Sequence, residues 1–447
     1  MIKKYWKYIV LFIVAFVITF VYDFFIVRLG MDEVWCYGFA YNISKGLVPY
    51  RDFNMIITPL YSFVVALFIK IFGNHLFSVH IFNALFLALF VTVGYRVLNK
   101  KIFILWLLSL SILYPCYNTF CVLIFCFFLF LYNKKFKHKD FVLGLIIACL
   151  FLSKQTLGIL IIPLLFFSKD RIKCLIGFLF PCLIFLIYLI YFNTFYQFID
   201  YCILGMFDFS SKNSFINSSI YFTCFFEIIV IIIILYKLIK GKFKNQKLIF
   251  VLAFQIMAFP LLDYQHVFYA FIPVVCYILM NYNLNKISFY LFGILCVFYL
   301  IISFYIGTNS PYFHLYSKKN SFLYGRSIIG IIDKQIDKLY SYLDKNRDDN
   351  RLYIFSCYAY LIRLNNGEIT DKYDLINNGN MGYKGEEKYI KEIDNYCSQN
   401  KCMFVLISED LAGKNQTSKK LLDYVQRNYD NVTNFEAFGI YTNNLKR

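Results

Sequence analysis

Long apolar runs separated by short basic clusters decide most of what this chain can fold into. A helix that crosses a bilayer needs about 20 apolar residues, because hydrocarbon offers no partner to an exposed backbone N–H or C=O. About eleven such runs follow one another, near residues 6–27, 77–98, 102–117, 120–132, 141–152, 157–167, 174–192, 220–236, 248–262, 267–280 and 287–306. With 60% hydrophobic and 16% charged residues over 447 positions, the composition lies outside the range of soluble domains. The expected fold class is an α-helical polytopic membrane protein.

The basic residues fix an orientation. Lys3, Lys4 and Lys7 precede the first run, and further clusters fall at Lys100 and Lys101, within 134–139, 169–173 and 237–247, and at Lys286. The alternate connections, around 116–118, 153–156, 193–217 and 263–266, carry few or no basic residues. Cytoplasmic loops accumulate Lys and Arg, so the expected arrangement is a multi-pass plasma-membrane protein with its N-terminus inside and its C-terminal part outside. This requires that 59–72 not cross. That stretch is short, starts at Pro59 and has the length of an interfacial helix. The net charge of +18 is thereby assigned to the inner membrane surface, not to nucleic acid. The first run lacks a cleavage site of small residues and is expected to stay as an anchor. The 14 cysteines include no CxxC pair, so neither a zinc site nor a disulfide framework is expected.

From about residue 310 the sequence becomes charged and Asn-rich. Helices are predicted over 333–345, 386–400 and 418–428, and strands over 351–356, 403–408 and 436–442. The expected domains are a transmembrane part, 1–309, and a small extracytoplasmic α/β domain, 310–447. No phosphate-binding glycine loop and no inverted repeat stands out.

The chemistry concentrates in the first outer loop, 28–76, which carries Asp32 and Glu33, then Tyr50, Arg51 and Asp52, then Thr58 and Pro59 ahead of the interfacial helix 59–72. Two adjacent carboxylates so close to a span belong at the interface or in a hydrated recess, and an ordinary loop end is the plain alternative. Lys154 is the one basic residue in an otherwise neutral outer connection, with Gln155 beside it. An isolated lysine at membrane level is either functional or snorkelling to the headgroups. Asp263, Gln265 and His266 form a third polar group, in a tight outer turn whose Asp and His would otherwise cap a helix.

The order of these features resembles the C-type glycosyltransferases (the GT-C superfamily), which use lipid-phosphate sugars and include the protein O-mannosyltransferases and the aminoarabinose transferases of lipid A. The resemblance rests on Asp32-Glu33 after the first span, on Gly46-Leu47-Val48-Pro49-Tyr50-Arg51-Asp52, on Pro59-Leu60 and on Phe72-Gly73-Asn74. It covers the first hundred or so residues well. It implies an inverting hexosyl or pentosyl transfer (EC 2.4 class), on the outer face, from a polyprenyl-phosphate sugar to a glycan, lipid or protein acceptor of the cell envelope.

On that resemblance Asp32 is the catalytic base and Glu33 a second carboxylate. Arg51, Lys154 and His266 are candidates for the donor phosphate, and Tyr50, Asp52, Gln155, Asp263 and Gln265 for substrate contacts. The aminoarabinose transferases have Lys-Pro before the interfacial helix where this chain has Thr58-Pro59, which puts more of the phosphate on Arg51 and Lys154. No cofactor and no metal is expected: the spacing of Asp32, Glu33, Asp52 and His266 does not demand a divalent ion. A transporter or flippase would place charges mid-membrane on several helices, whereas here they gather at one surface. A polymerase of lipid-linked envelope glycans is the other alternative.

Overall fold

The computed structural model describes residues 2–25, 31–74, 76–112, 115–213, 220–259, 261–282, 331–346, 350–355, 380–407, 418–435 and 438–443, with 293, 294, 372 and 376. The helical part comprises α1 (Ile2–Phe25), α2 (Met31–Ser44), α3 (Leu60–Phe72), α4 (Leu76–Leu98), α5 (Ile102–Ile112), α6 (Tyr117–Tyr132) and α7 (Lys139–Ser153). It continues with α8 (Ile161–Phe167), α9 (Arg171–Tyr191), α10 (Phe195–Phe198), α11 (Gly205–Asn213), α12 (Ile220–Lys240), α13 (Gln246–Phe254) and α14 (Tyr264–Asn281).

α6 is apolar all round and is the buried axis of the bundle. Phe82, Phe86 and Phe90, one turn apart on α4, mesh with Phe120, Phe127 and Phe130 of α6. On the other side Phe125 and Phe128 meet Phe254 and Phe250 of α13. The peripheral helices turn apolar faces outward: Ile9, Ile13, Val17 and Val21 on α1, and Ile172, Ile176, Leu183, Ile187 and Ile190 on α9. The inner face of α1 instead buries Thr19, which accepts a hydrogen bond from Trp106, and Asp23, which accepts from Asn83. These two polar groups thus meet partners on neighbouring helices, as hydrocarbon requires.

By length and composition, three stretches among the described residues suffice to cross a membrane: Tyr5–Asp23, Leu76–Leu110 and Arg171–Tyr191. Shorter apolar helices at Leu60–Phe72, Tyr117–Tyr132, Gln155–Phe167, Gln246–Ala258 and Gln265–Asn281 accompany them. The span predicted at 287–306 falls outside the described residues, except for 293 and 294. The 193–217 connection, predicted as a loop, contains α10, a π-helical turn over Ile199–Leu204 and α11.

Beyond these lie α15 (Ile331–Asn346), β1 (Arg351–Phe355), α16 (Gly385–Cys397), β2 (Cys402–Ile407), α17 (Lys419–Asn428), β3 (Asp430–Asn434) and β4 (Phe438–Thr442). The sheet order is β1-β2-β4-β3, with β1 parallel to β2 and the other pairs antiparallel. A disulfide joins Cys397 and Cys402, closing α16 onto β2. This corrects the expectation of no disulfide framework to the extent of one bond: the two cysteines are five positions apart in sequence and carry no spacing signature, and only the turn from α16 into β2 brings them together. Among the described residues ten other cysteines, all in the helical part, form no disulfide. The sheet domain touches the loop after α2 and the π-helical turn directly. Asn54 donates from its backbone N–H to the Lys372 carbonyl (2.7 Å) and from its amide to the Asn380 carbonyl (3.1 Å), and Lys388 pairs with Asp200 (3.0 Å).

The tightest crossing is between α7 and α9, where glycines let the backbones meet. A Cβ on Gly144 would lie 2.1 Å from the Cys174 carbonyl oxygen, and one on Gly177 equally close to that of Phe141. Neither neighbour is a side chain that can turn away. Gly177→Leu is therefore expected to destabilise the bundle by roughly 1–3 kcal/mol. Thermal unfolding in detergent checks this, and an unchanged melting temperature would contradict the crossing.

Candidate active site

Four chain segments converge on the side where the sheet domain docks. Asp32 sits in the first turn of α2, where the helix dipole favours a carboxylate. Tyr117 and Asn118 open α6, Lys154 lies in extended backbone between the end of α7 and the 3₁₀ turn Gln155–Leu160, and Asp263, Gln265 and His266 sit at the start of α14.

One line of contacts joins the first three. The Asn118 amide donates to Asp32 Oδ2 at 3.4 Å, and its carbonyl oxygen accepts from Lys154 Nζ at 3.2 Å. Trp35 Nε1 donates to the other oxygen of Asp32 at 3.2 Å. The Lys154 ammonium also lies over the Tyr117 ring, 5.8 Å from its centroid, and Trp35 meets the same ring edge-on. Asn118 is fully buried and Lys154 is 9% exposed.

The α14 group makes its own contacts. Asp263 caps the helix by accepting from the His266 backbone N–H at 2.8 Å, and its carboxylate lies 2.9 Å from His266 Nδ1. Gln265 donates to the Tyr269 hydroxyl at 2.7 Å, and that hydroxyl also lies within hydrogen-bond distance of Cys116 Sγ, 3.4 Å away. These residues do not hydrogen-bond to Asp32 but lie close enough to act on it through their charge.

Burial pushes the Asp32 carboxyl above the ordinary aspartate range, and Asp263 adds to the rise. The charges of His266 and Lys154 and the Trp35 N–H pull it back in part. Burial likewise lowers Lys154, against the opposing pull of Asp32 and Asp263. Burial also pushes Asp263 up, but hydrogen bonds and charge from His266 outweigh it, so that carboxyl ends below its usual range.

Other predicted residues lie elsewhere or are engaged. Arg51 is half-exposed, forms a double hydrogen bond with its neighbour Asp52 (2.8 and 3.0 Å) and rests on the Phe192 ring. Asp52 also accepts from the Val48 backbone N–H, and the Arg51 guanidinium holds its carboxyl low. Tyr50 has a positive φ of 71°, is buried, and donates to the Ile57 carbonyl. Tyr50, Arg51 and Asp52 thus build the turn, and the structure does not bring them to Asp32. Gln155 donates to the carbonyls of Ile56 (2.9 Å) and Cys202 (3.0 Å), clasping the outer loop to the π-helical turn. The side chain of Glu33 falls outside the described residues. No group of three or more His, Cys, Asp or Glu that could hold a metal is present among the described residues.

Asn118, Trp35 and Tyr117 are site residues that the sequence reading passed over. The available signal was the one that singled out Lys154: a polar residue at the mouth of an apolar run.

No family model matches the sequence, and no curated protein matches it. Among solved structures the chain is similar to the crystal structure of ArnT from Cupriavidus metallidurans bound to undecaprenyl phosphate, with a TM-score of 0.57 and 11% sequence identity. The match covers 98% of this chain and 98% of that one. The chain therefore has an ArnT-like, mostly helical fold.

The Gln155 clasp has a measurable consequence. Gln155→Ala leaves two buried carbonyls without their donor, which costs roughly 1–3 kcal/mol. A lower melting temperature in detergent is expected, and an unchanged one would show that the clasp does not hold the loop.

Proposed function

We propose that this protein is an inverting glycosyltransferase that moves a sugar from a polyprenyl-phosphate donor to a cell-envelope acceptor on the outer face of the plasma membrane. The observation that carries this reading is the line Asp32–Asn118–Lys154, a carboxylate and a buried ammonium on one asparagine, within a fold similar to that of a protein solved with undecaprenyl phosphate bound. The basic clusters support an inner N-terminus. The Cys397–Cys402 disulfide supports an outer C-terminal domain, because such bonds persist in oxidising compartments.

In the transfer, the acceptor oxygen attacks the anomeric carbon from the face opposite the phosphate. A bond forms from that oxygen to the carbon as the bond from carbon to phosphate oxygen breaks. The acceptor proton passes to the Asp32 carboxylate, whose raised proton affinity makes it a better base than an exposed aspartate. Polyprenyl phosphate leaves with both electrons of the broken bond, and its added charge falls to the Lys154 ammonium in a low-dielectric site. His266 stands behind as a second positive group when protonated, with Asp263 orienting its ring. The wall of Trp35 and Tyr117 offers apolar surface to a sugar ring.

Asp32→Asn removes the base while preserving shape and is expected to reduce transfer by roughly 10²–10⁴-fold. Mass spectrometry of envelope glycans from a deletion strain, complemented by wild type and by Asp32→Asn, tests this. Restoration of the missing glycan by Asp32→Asn would remove Asp32 from the reaction.

The pH profile follows from the same two groups. The base must be deprotonated, so activity rises through the Asp32 titration, on a limb placed above the ordinary aspartate range. The ammonium must be protonated, so activity falls as pH rises through the Lys154 titration, below the ordinary lysine range. Lys154→Arg should move the alkaline limb upward, since guanidinium keeps its charge. A limb that stays in place would detach Lys154 from donor binding.

A further inference from the structure

We infer that Asn118 is a positioning residue whose amide keeps the Asp32 carboxylate and the Lys154 ammonium from pairing with each other, so that each keeps bonding capacity for a substrate. This rests on the proposed transferase reading.

The amide has only one workable orientation. Its NH₂ faces a carboxylate and its oxygen faces an ammonium. Turned over, it would set donor against donor and acceptor against acceptor. Being fully buried, it cannot swing to water instead. Lys154 gives one N–H to Asn118 and keeps two, and none of the described carboxylates lies within ion-pair distance of it. That is an unusual state for a nine-tenths buried cation, because a nearby carboxylate in a low-dielectric site is its preferred partner.

The other groups facing Asp32 and Lys154 are neutral or already engaged. Tyr117 offers its ring, Cys116 and Tyr269 bond to each other, and Asp263 is held by His266. Asn118 is therefore the group that separates the two charges. Removing it lets the carboxylate and the ammonium collapse together, occupying the cation that a phosphate would use and lowering the basicity of the carboxylate.

The test is binding of undecaprenyl phosphate to the purified full chain in detergent, a readout that does not require transfer. Asp32→Asn alone, with Asn118 in place, sets the affinity against which the double variant is also read. Asn118→Ala is expected to bind about tenfold more weakly or worse. Adding Asp32→Asn to Asn118→Ala removes the competing carboxylate and should restore affinity to within about threefold of wild type. A structural role for Asn118 would give no such rescue.

Asn118→Asp supplies a second pair of variants of nearly native size. Its own carboxylate captures Lys154, so binding should be lost, and Asp32→Asn should not restore it. Wild-type affinity in Asn118→Ala, absence of rescue in the first pair, or rescue in the second would overturn the inference. Failure of wild type itself to bind undecaprenyl phosphate would overturn the transferase reading, and the role of Asn118 with it.

Discussion

Opposite charges buried near one another close into a pair unless something holds them apart, and the polar end of this bundle is arranged around that constraint. Water would separate a carboxylate from an ammonium at little cost, and the bilayer edge does not. A full hydrogen-bonding group must then stand between them. Asn118 does so because it heads α6, the most deeply buried helix, whose register is fixed by phenylalanines packed on both sides. Precision at the polar end thus derives from packing at the apolar end.

The helix termini follow the same logic. Helix ends leave N–H and C=O groups without intrahelical partners, and in a membrane protein the outer surface is where these can meet polar side chains. Asp32 occupies a first turn, Asp263 caps one, and Lys154 sits where α7 breaks before the 3₁₀ turn. The break in α7 exposes backbone polarity one residue from Gln155, whose amide satisfies two carbonyls of other segments.

How much of this was legible in the sequence depended on whether position or partner carried the meaning. Helices were legible because periodicity and length are local properties, and α3 appears as the short helix that Pro59 announces. Asp32 and Lys154 were legible as ionisable residues beside apolar runs, and the fold brings both to one asparagine. Arg51 drew attention for the same reason, yet its partner is the next residue, a pairing that charge counting cannot distinguish from a vacant cation. Asn118 carries no charge and was passed over, although its neutrality is what its place requires. β3 was missed because its residues, Asp430–Asn434, are polar and mostly exposed, without the alternation that marks a half-buried strand. The disulfide was missed because it depends on the path from α16 to β2, which spacing does not encode.

The sheet domain belongs to the same arrangement. Lys388 at its edge pairs with Asp200 on the π-helical turn, and Gly382 packs so closely there that a Cβ would sit 2.9 Å from both the Asp200 carboxylate and the Tyr201 ring. That turn presents the Cys202 carbonyl to Gln155, and Gln155 follows Lys154 directly in the chain. On the other side Asn54, a few residues past the Tyr50–Asp52 turn, binds the carbonyls of Lys372 and Asn380. The sheet domain and the backbone that carries the buried lysine are therefore joined by an unbroken series of short contacts. Contiguity of this kind does not by itself transmit a signal. It does mean that the sheet domain helps to hold the loop and the π-helical turn beside which Lys154 reaches Asn118.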